Sequence, residues 1–166
     1  MNAPAIANTD EIPSLLIPMM HCKLILPAVS VAEMVPYQLP QERHSMVAED
    51  LPDWYLGNLA WRGISIPMVS FELLNAEPAA QPKADSHIVI LNNTGASPQL
   101  KFICMATQGI PRLNRVAFDD ITEVNNAKLK KYWQIEAYIA GEKAVIPDLE
   151  KIEKVLCNSL TALPHN

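Results

Sequence analysis

Short apolar runs, broken by proline, glycine and polar clusters, dominate the chain. Leu15–Met20 and Cys22–Leu26 have the size of strands, punctuated by Pro18 and Pro27. Through Val29-Ser30-Val31-Ala32-Glu33-Met34-Val35 the period is two, which places Val29, Val31 and Val35 on one face with Glu33 among them. Residues 38–53 are polar and read as a connection with room for a helical turn. In Trp54–Phe71 two apolar runs meet at Arg62-Gly63, which predicts strand, tight turn and strand, with Ile64, Ile66 and Met68 alternating. Pro67 in the second run predicts an edge or a bulge. Residues 75–86, stiffened by Pro78 and Pro82, read as a linker.

Downstream, His87–Leu91 and Leu100–Ala106 flank a turn-rich stretch at 92–98, which predicts a hairpin. Arg112–Tyr132 fits strand and short helix equally. Ile135–Ile139 and Lys143–Ile146 enclose Ala140-Gly141-Glu142, a second hairpin with a glycine for positive φ. One clear helix closes the chain. Asp148 is its N-cap, and Leu149, Ile152, Val155, Leu156 and Leu160 recur at helical spacing. Residues 1–13 are expected to be a disordered lead-in and 161–166 a tail. Eight or nine short strands and a terminal helix make the chain mainly β, a barrel or sandwich.

Composition narrows the function. A length of 166 residues fits one domain, or two subdomains sharing strands, and needs no disulfide or metal staple. Five glycines at 57, 63, 95, 109 and 141 exclude the Gly-x-Gly-x-x-Gly and Walker A loops. The net charge of −5 gives no basic stripe for nucleic acid. The basic stretch Lys128, Lys130 and Lys131 reads as a solvated loop. Cys22, Cys104 and Cys157 form no Cys-x-x-Cys pair and fit small buried thiols of a cytoplasmic protein. Neither a secretory signal nor a transmembrane span is expected, since Pro18, His21, Lys23, Pro27 and Glu33 interrupt the longest apolar stretch.

Candidate chemistry is sparse. His21, His44, His87 and His165 show no metal-ligand spacing, so no metal and no cofactor is expected. Asp119-Asp120, and Glu49-Asp50 with Asp53, lie in polar sequence where solvation is the default. No nucleophile elbow occurs, and Cys104 has no neighbouring cation, so no catalytic residue is assigned. Arg62 and Glu33 stand out because each is a charge set into an apolar run. The pattern alone favours two unrelated exposed charges over a recognition pair, since most surface charges contribute little.

The stretch Gly57–Phe71, with Asn58, Leu59, Arg62-Gly63 and Ile66-Pro67-Met68-Val69, resembles the signature of CheW-like domains. Val29–Tyr37, the 87–106 hairpin, the late strand pair and the closing helix follow in the family's order, so the resemblance spans about residues 14–160. It implies two intertwined five-stranded SH3-like β-barrels with a C-terminal helix. It implies coupling without catalysis, joining chemoreceptor signalling tips to the regulatory domain of a CheA-type histidine kinase. The protein would then be cytoplasmic and recruited to membrane receptor arrays. By the same resemblance, Arg62 and Glu33 form a pair that shapes the partner surface, with Val31, Gly57, Trp61, Gly63 and Ile64 nearby. Ala60-Trp61 and Met105–Arg112 depart from the family pattern, which resembles the divergent ChpC-type members of pilus-linked systems. The rival expectation is a small β-barrel enzyme or ligand-binding protein with a pocket between the subdomains, lined by His87, Asp119 or Glu123. An oligonucleotide-binding barrel would need an aromatic face in a basic groove, against 6% aromatic residues and an acidic chain.

Overall fold

The structure, a computed structural model, describes residues 10–41 and 51–161. The chain runs β1 (Ile12–Pro18), β2 (Lys23–Pro27), β3 (Val31–Pro36), β4 (Tyr55–Trp61), β5 (Ile64–Val69), α1 (Phe71–Leu74), β6 (His87–Asn92) and β7 (Phe102–Ala106). It continues through β8 (Arg112–Val116), β9 (Ile121–Glu123), β10 (Trp133–Ile139), β11 (Glu142–Pro147) and α2 (Leu149–Thr161). The strands form two sheets. One has six strands in the order β8-β1-β2-β11-β10-β9, and the other five in the order β3-β6-β7-β5-β4. The first therefore carries one strand more than the expected five, the three-residue β9. Neighbours are antiparallel except β2 with β11 and β5 with β7, which are parallel.

Many strands lack the alternation of a half-buried strand because both of their faces are covered. Leu15, Ile17, Leu24, Leu26, Val89, Leu91, Ile103 and Met105 point into a core shared by the two sheets. Their sequence neighbours point the other way. Leu16 and Ile25 join a cluster confined to the first sheet, and Ile88, Ile90 and Cys104 one confined to the second. A flat sheet cannot bury a cluster of its own, so each sheet curls around one. Ile152 and Leu156 of α2, with Phe71 and Leu74 of α1, complete the shared core.

Both predicted tight turns form. Arg62-Gly63 and Ala140-Gly141 each place two residues at positive φ, 48° and 76° in the first and 49° and 85° in the second. That is the mirror-image turn whose twist suits two-residue hairpins. Asp148 caps α2 as expected, its Oδ1 accepting from Lys151 N at 3.1 Å.

Other expectations are corrected. Val29 is not on the face of Val31 and Val35. It lies in the 3-10 turn before β3 and is 84% exposed, and the register shift between Val31 and Glu33 turns Val31 to the shared core while Val35 packs on the second sheet's own cluster. Pro67 is not on an edge strand, because β5 lies between β4 and β7. It is accommodated because pairing with β7 starts one residue later, at Met68. The helix α1 went unpredicted, and β1 starts at Ile12, inside the expected lead-in. Arg112–Tyr132 resolves into β8, a 3-10 turn and β9. His44, Glu49, Asp50, His165 and the rest of 1–9, 42–50 and 162–166 lie outside the described residues.

Candidate partner-binding site

The strands β3 and β4 are the two edges of the five-stranded sheet, yet their side chains meet as the sheet curls. A register shift between Val31 and Glu33 in β3 accompanies the aim of Glu33 toward the end of β4. There one carboxylate oxygen, Glu33 Oε2, accepts from Trp61 Nε1 at 2.5 Å and pairs with Arg62 Nη2 at 3.3 Å. The Arg62 guanidinium carbon also lies 4.7 Å from the centroid of the Trp61 ring. Trp61 in turn packs edge-to-face on Phe102, 5.1 Å between centroids, at the margin of the second sheet's own core.

Two residues distant in sequence thus share one local arrangement, and its exposure is graded. Trp61 is half-buried, the Glu33 side chain 35% exposed and the Arg62 side chain 68% exposed. The arginine is held in the left-handed region, which is uncommon for a residue carrying a Cβ. Its charge stays in water while its plane is fixed by the indole below and the carboxylate beside it.

The remaining expected residues divide. Gly63 completes the turn in open space, and Ile64, paired with Trp61 across the hairpin, is 43% exposed beside Arg62. Gly57 serves the backbone: at φ +117° it lies against the Gln41 carbonyl, which a Cβ would meet at 2.5 Å. Val31 is half-buried and packs on the shared core, two residues from Glu33. Structure therefore unites Glu33, Trp61, Arg62, Gly63 and Ile64 at one surface and gives Gly57 and Val31 supporting places.

The residues named for the rival site fall on different sheets. His87 lies on β6 of the second sheet, its Nδ1 2.8 Å from the Asp85 carbonyl, whereas Asp119 and Glu123 belong to the first. Asp120 caps the adjacent 3-10 turn, its Oδ2 accepting from Ala117 N at 2.9 Å. Lys130 is more than solvated, pairing with Glu77 at 2.8 Å and facing the Trp133 ring. Among the described residues no group of three or more His, Cys, Asp or Glu side chains is placed to hold a metal ion. Burial pushes the Cys22 and Cys104 thiols up to about 12, so neither supplies a thiolate near neutrality. No described helix is long and apolar enough to cross a membrane.

Sequence reasoning missed three buried carboxylates. Glu72 accepts from Met20 N at 3.0 Å, Glu136 pairs with Lys143 at 2.6 Å, and Glu153 accepts from Thr94 N at 2.5 Å and Thr94 Oγ1 at 2.7 Å. A signal existed for the last: Glu153 lies four residues after Leu149 and one after Ile152, on the apolar stripe of α2.

A family model for the CheW-like domain matches residues 15–155. The chain belongs to the CheW-like domain family. Among solved structures it is similar to the scaffolding protein TtCheW from Thermoanaerobacter tengcongensis, with a TM-score of 0.66 at 14% identity. That match covers 82% of this chain and 88% of the other. No significant match is found among curated proteins. At that identity the structural match bears on the fold. The two curled sheets and the C-terminal helix are thus those of a CheW-like domain, with its two SH3-like subdomains.

Proposed function

We propose that this CheW-like protein is a non-catalytic coupling scaffold that joins chemoreceptor signalling tips to the regulatory domain of a CheA-type histidine kinase. The single observation that carries this reading is the posture of Arg62. The chain spends a left-handed backbone position, a tryptophan face and a half-buried carboxylate on a guanidinium that remains largely in water. An arrangement that costs local backbone energy and buries little charge serves presentation better than stability. Arginine on tryptophan is also the chemistry of interface hot spots. Ile64 adds an apolar contact beside it, and Glu33 fixes the direction of the fork.

The setting is cytoplasmic, with recruitment to membrane receptor arrays through the partners. The half-buried Trp61 where the family pattern has a smaller element, together with the departure at Met105–Arg112, supports a ChpC-type place in a pilus-linked system. Capture of purified receptor-tip peptides and kinase regulatory domains from the source organism tests the reading. The wild-type chain retains at least one of them, and Arg62→Ala weakens retention about tenfold or more with its fold intact. Capture of neither partner overturns the function, and an unaltered affinity in Arg62→Ala overturns the site.

A further inference from the structure

An open apolar groove lies on the first sheet, away from Glu33 and Arg62. Ile12, Ile25, Val116, Ile121, Ile139 and Ile146 wall a groove of about 440 Å³, contributed by β1, β2, β8, β9, β10 and β11. Its floor is continuous with the sheet's own buried cluster, to which Ile25, Val116 and Ile139 belong. At the lip Phe118 is 87% exposed, Ile12 55% and Ile121 41%. Isolated exposed apolar side chains are ordinary, but three around an apolar cleft form a contiguous patch of the kind that binds.

Among the described residues that line this groove, the charge has one sign. Asp10 lines it, Asp119 and Asp120 follow Phe118, and no Lys or Arg is among the lining residues. Asp120 is committed to capping Ala117 N, which leaves Asp10 and the exposed Asp119 to meet a cation. We propose that the groove docks an amphipathic helix with an apolar ridge and lysine or arginine flanks. Its walls are isoleucine, valine and phenylalanine side chains, which reward insertion of an apolar ridge. The acidic lip supplies register and electrostatic steering.

The test uses the full chain and two synthetic 18-residue peptides, each with leucine along one helical face. One carries lysine on both flanks, and the other glutamate. The lysine peptide binds, measured by fluorescence anisotropy, and the glutamate peptide does not. Phe118→Ser and Asp119→Lys each weaken binding about tenfold or more, since both alter an interface anchor or its charge. Both sites are exposed, and far-UV circular dichroism verifies that the fold persists. Arg62→Ala leaves peptide binding unchanged, which separates this groove from the coupling surface. Equal binding of the two peptides, binding of neither, or full affinity in Phe118→Ser overturns the proposal. So does a dimer of the wild-type chain that Phe118→Ser dissolves, because a second copy is then the occupant.

Discussion

Glu33 and Trp61 hold the two edges of one sheet together, the indole N–H of β4 donating to the carboxylate of β3 at 2.5 Å. Twenty-eight residues separate them, and Arg62 shares the same oxygen. The two interactions differ in worth. The indole bond is half-buried and charge-assisted, whereas the ion pair is largely exposed and screened. Glu33→Ala is therefore expected to lower stability by about 1–2 kcal/mol and Arg62→Ala by at most about 0.5 kcal/mol. Urea denaturation of both variants measures the difference. Equal losses would show that Arg62 stabilises the fold rather than presenting a surface.

Gly57 and Gly63 both have positive φ, but their surroundings differ. A Cβ on Gly57 meets the Gln41 carbonyl oxygen at 2.5 Å, whereas one on Gly63 meets nothing within 4 Å. Gly57→Ala carries both backbone strain and a collision with main chain, about 2–4 kcal/mol in total. Gly63→Ala carries the strain alone, about 1 kcal/mol. Thermal melts of the pair rank them, and a milder loss in Gly57→Ala contradicts the tight contact at Gln41.

Glu153 is 1% exposed and is satisfied by the Thr94 backbone N–H and hydroxyl. It thereby fastens α2 to the turn between β6 and β7. Glu153→Ala leaves the Thr94 N–H without its acceptor and is expected to cost about 2–3 kcal/mol. Thr94→Ala removes one of the two bonds and costs less, about 1 kcal/mol. A double-mutant cycle reads the coupling. Independent, additive losses would dissolve the link.

The pH response has a defined direction. Hydrogen bonding to Lys23, with the charges of Lys23 and Arg112, holds the Glu142 carboxyl below its ordinary value. Its contribution to stability is thus present above the unfolded pKa, about 4.3, and fades as pH falls through the lower folded value. The opposite case is Lys143, raised by its hydrogen bond to Glu136, whose contribution is present below about pH 10.4 and lost as pH rises through the folded value. Glu142→Gln should therefore reduce the dependence of stability on acid pH while leaving the alkaline limb intact. Denaturant midpoints measured from pH 2 to 11 test this, and an unchanged acid limb would discard the Glu142 contribution.

Much of the fold was legible because local chemistry agreed with global packing. Arg62-Gly63 and Ala140-Gly141 supply turn geometry between apolar runs, and Asp148 supplies a helix start. The family pattern around Glu33 and Arg62 pointed to their contact, against which the pattern of charges in apolar runs alone had weighed. What stayed illegible depends on distant neighbours. Nothing in Ser70–Leu74 announces a four-residue helix until Ser70 Oγ accepts from Leu73 N at 3.2 Å and Phe71 is buried in the shared core. Parallel pairing of β2 with β11 joins Leu24 to Val145 across 121 residues, a separation no local pattern reports. Val29 misled because its alternation extends β3 backwards through a segment that turns instead.

That long pairing also orders the chain's assembly. The strands β3 to β7 find all their sheet partners among themselves, so this middle segment can organise while the ribosome is still making the rest. The first sheet is built from both flanks of that segment and must wait for β8 to β11. Its closure carries the high contact order of the molecule and is the step expected to set the folding rate.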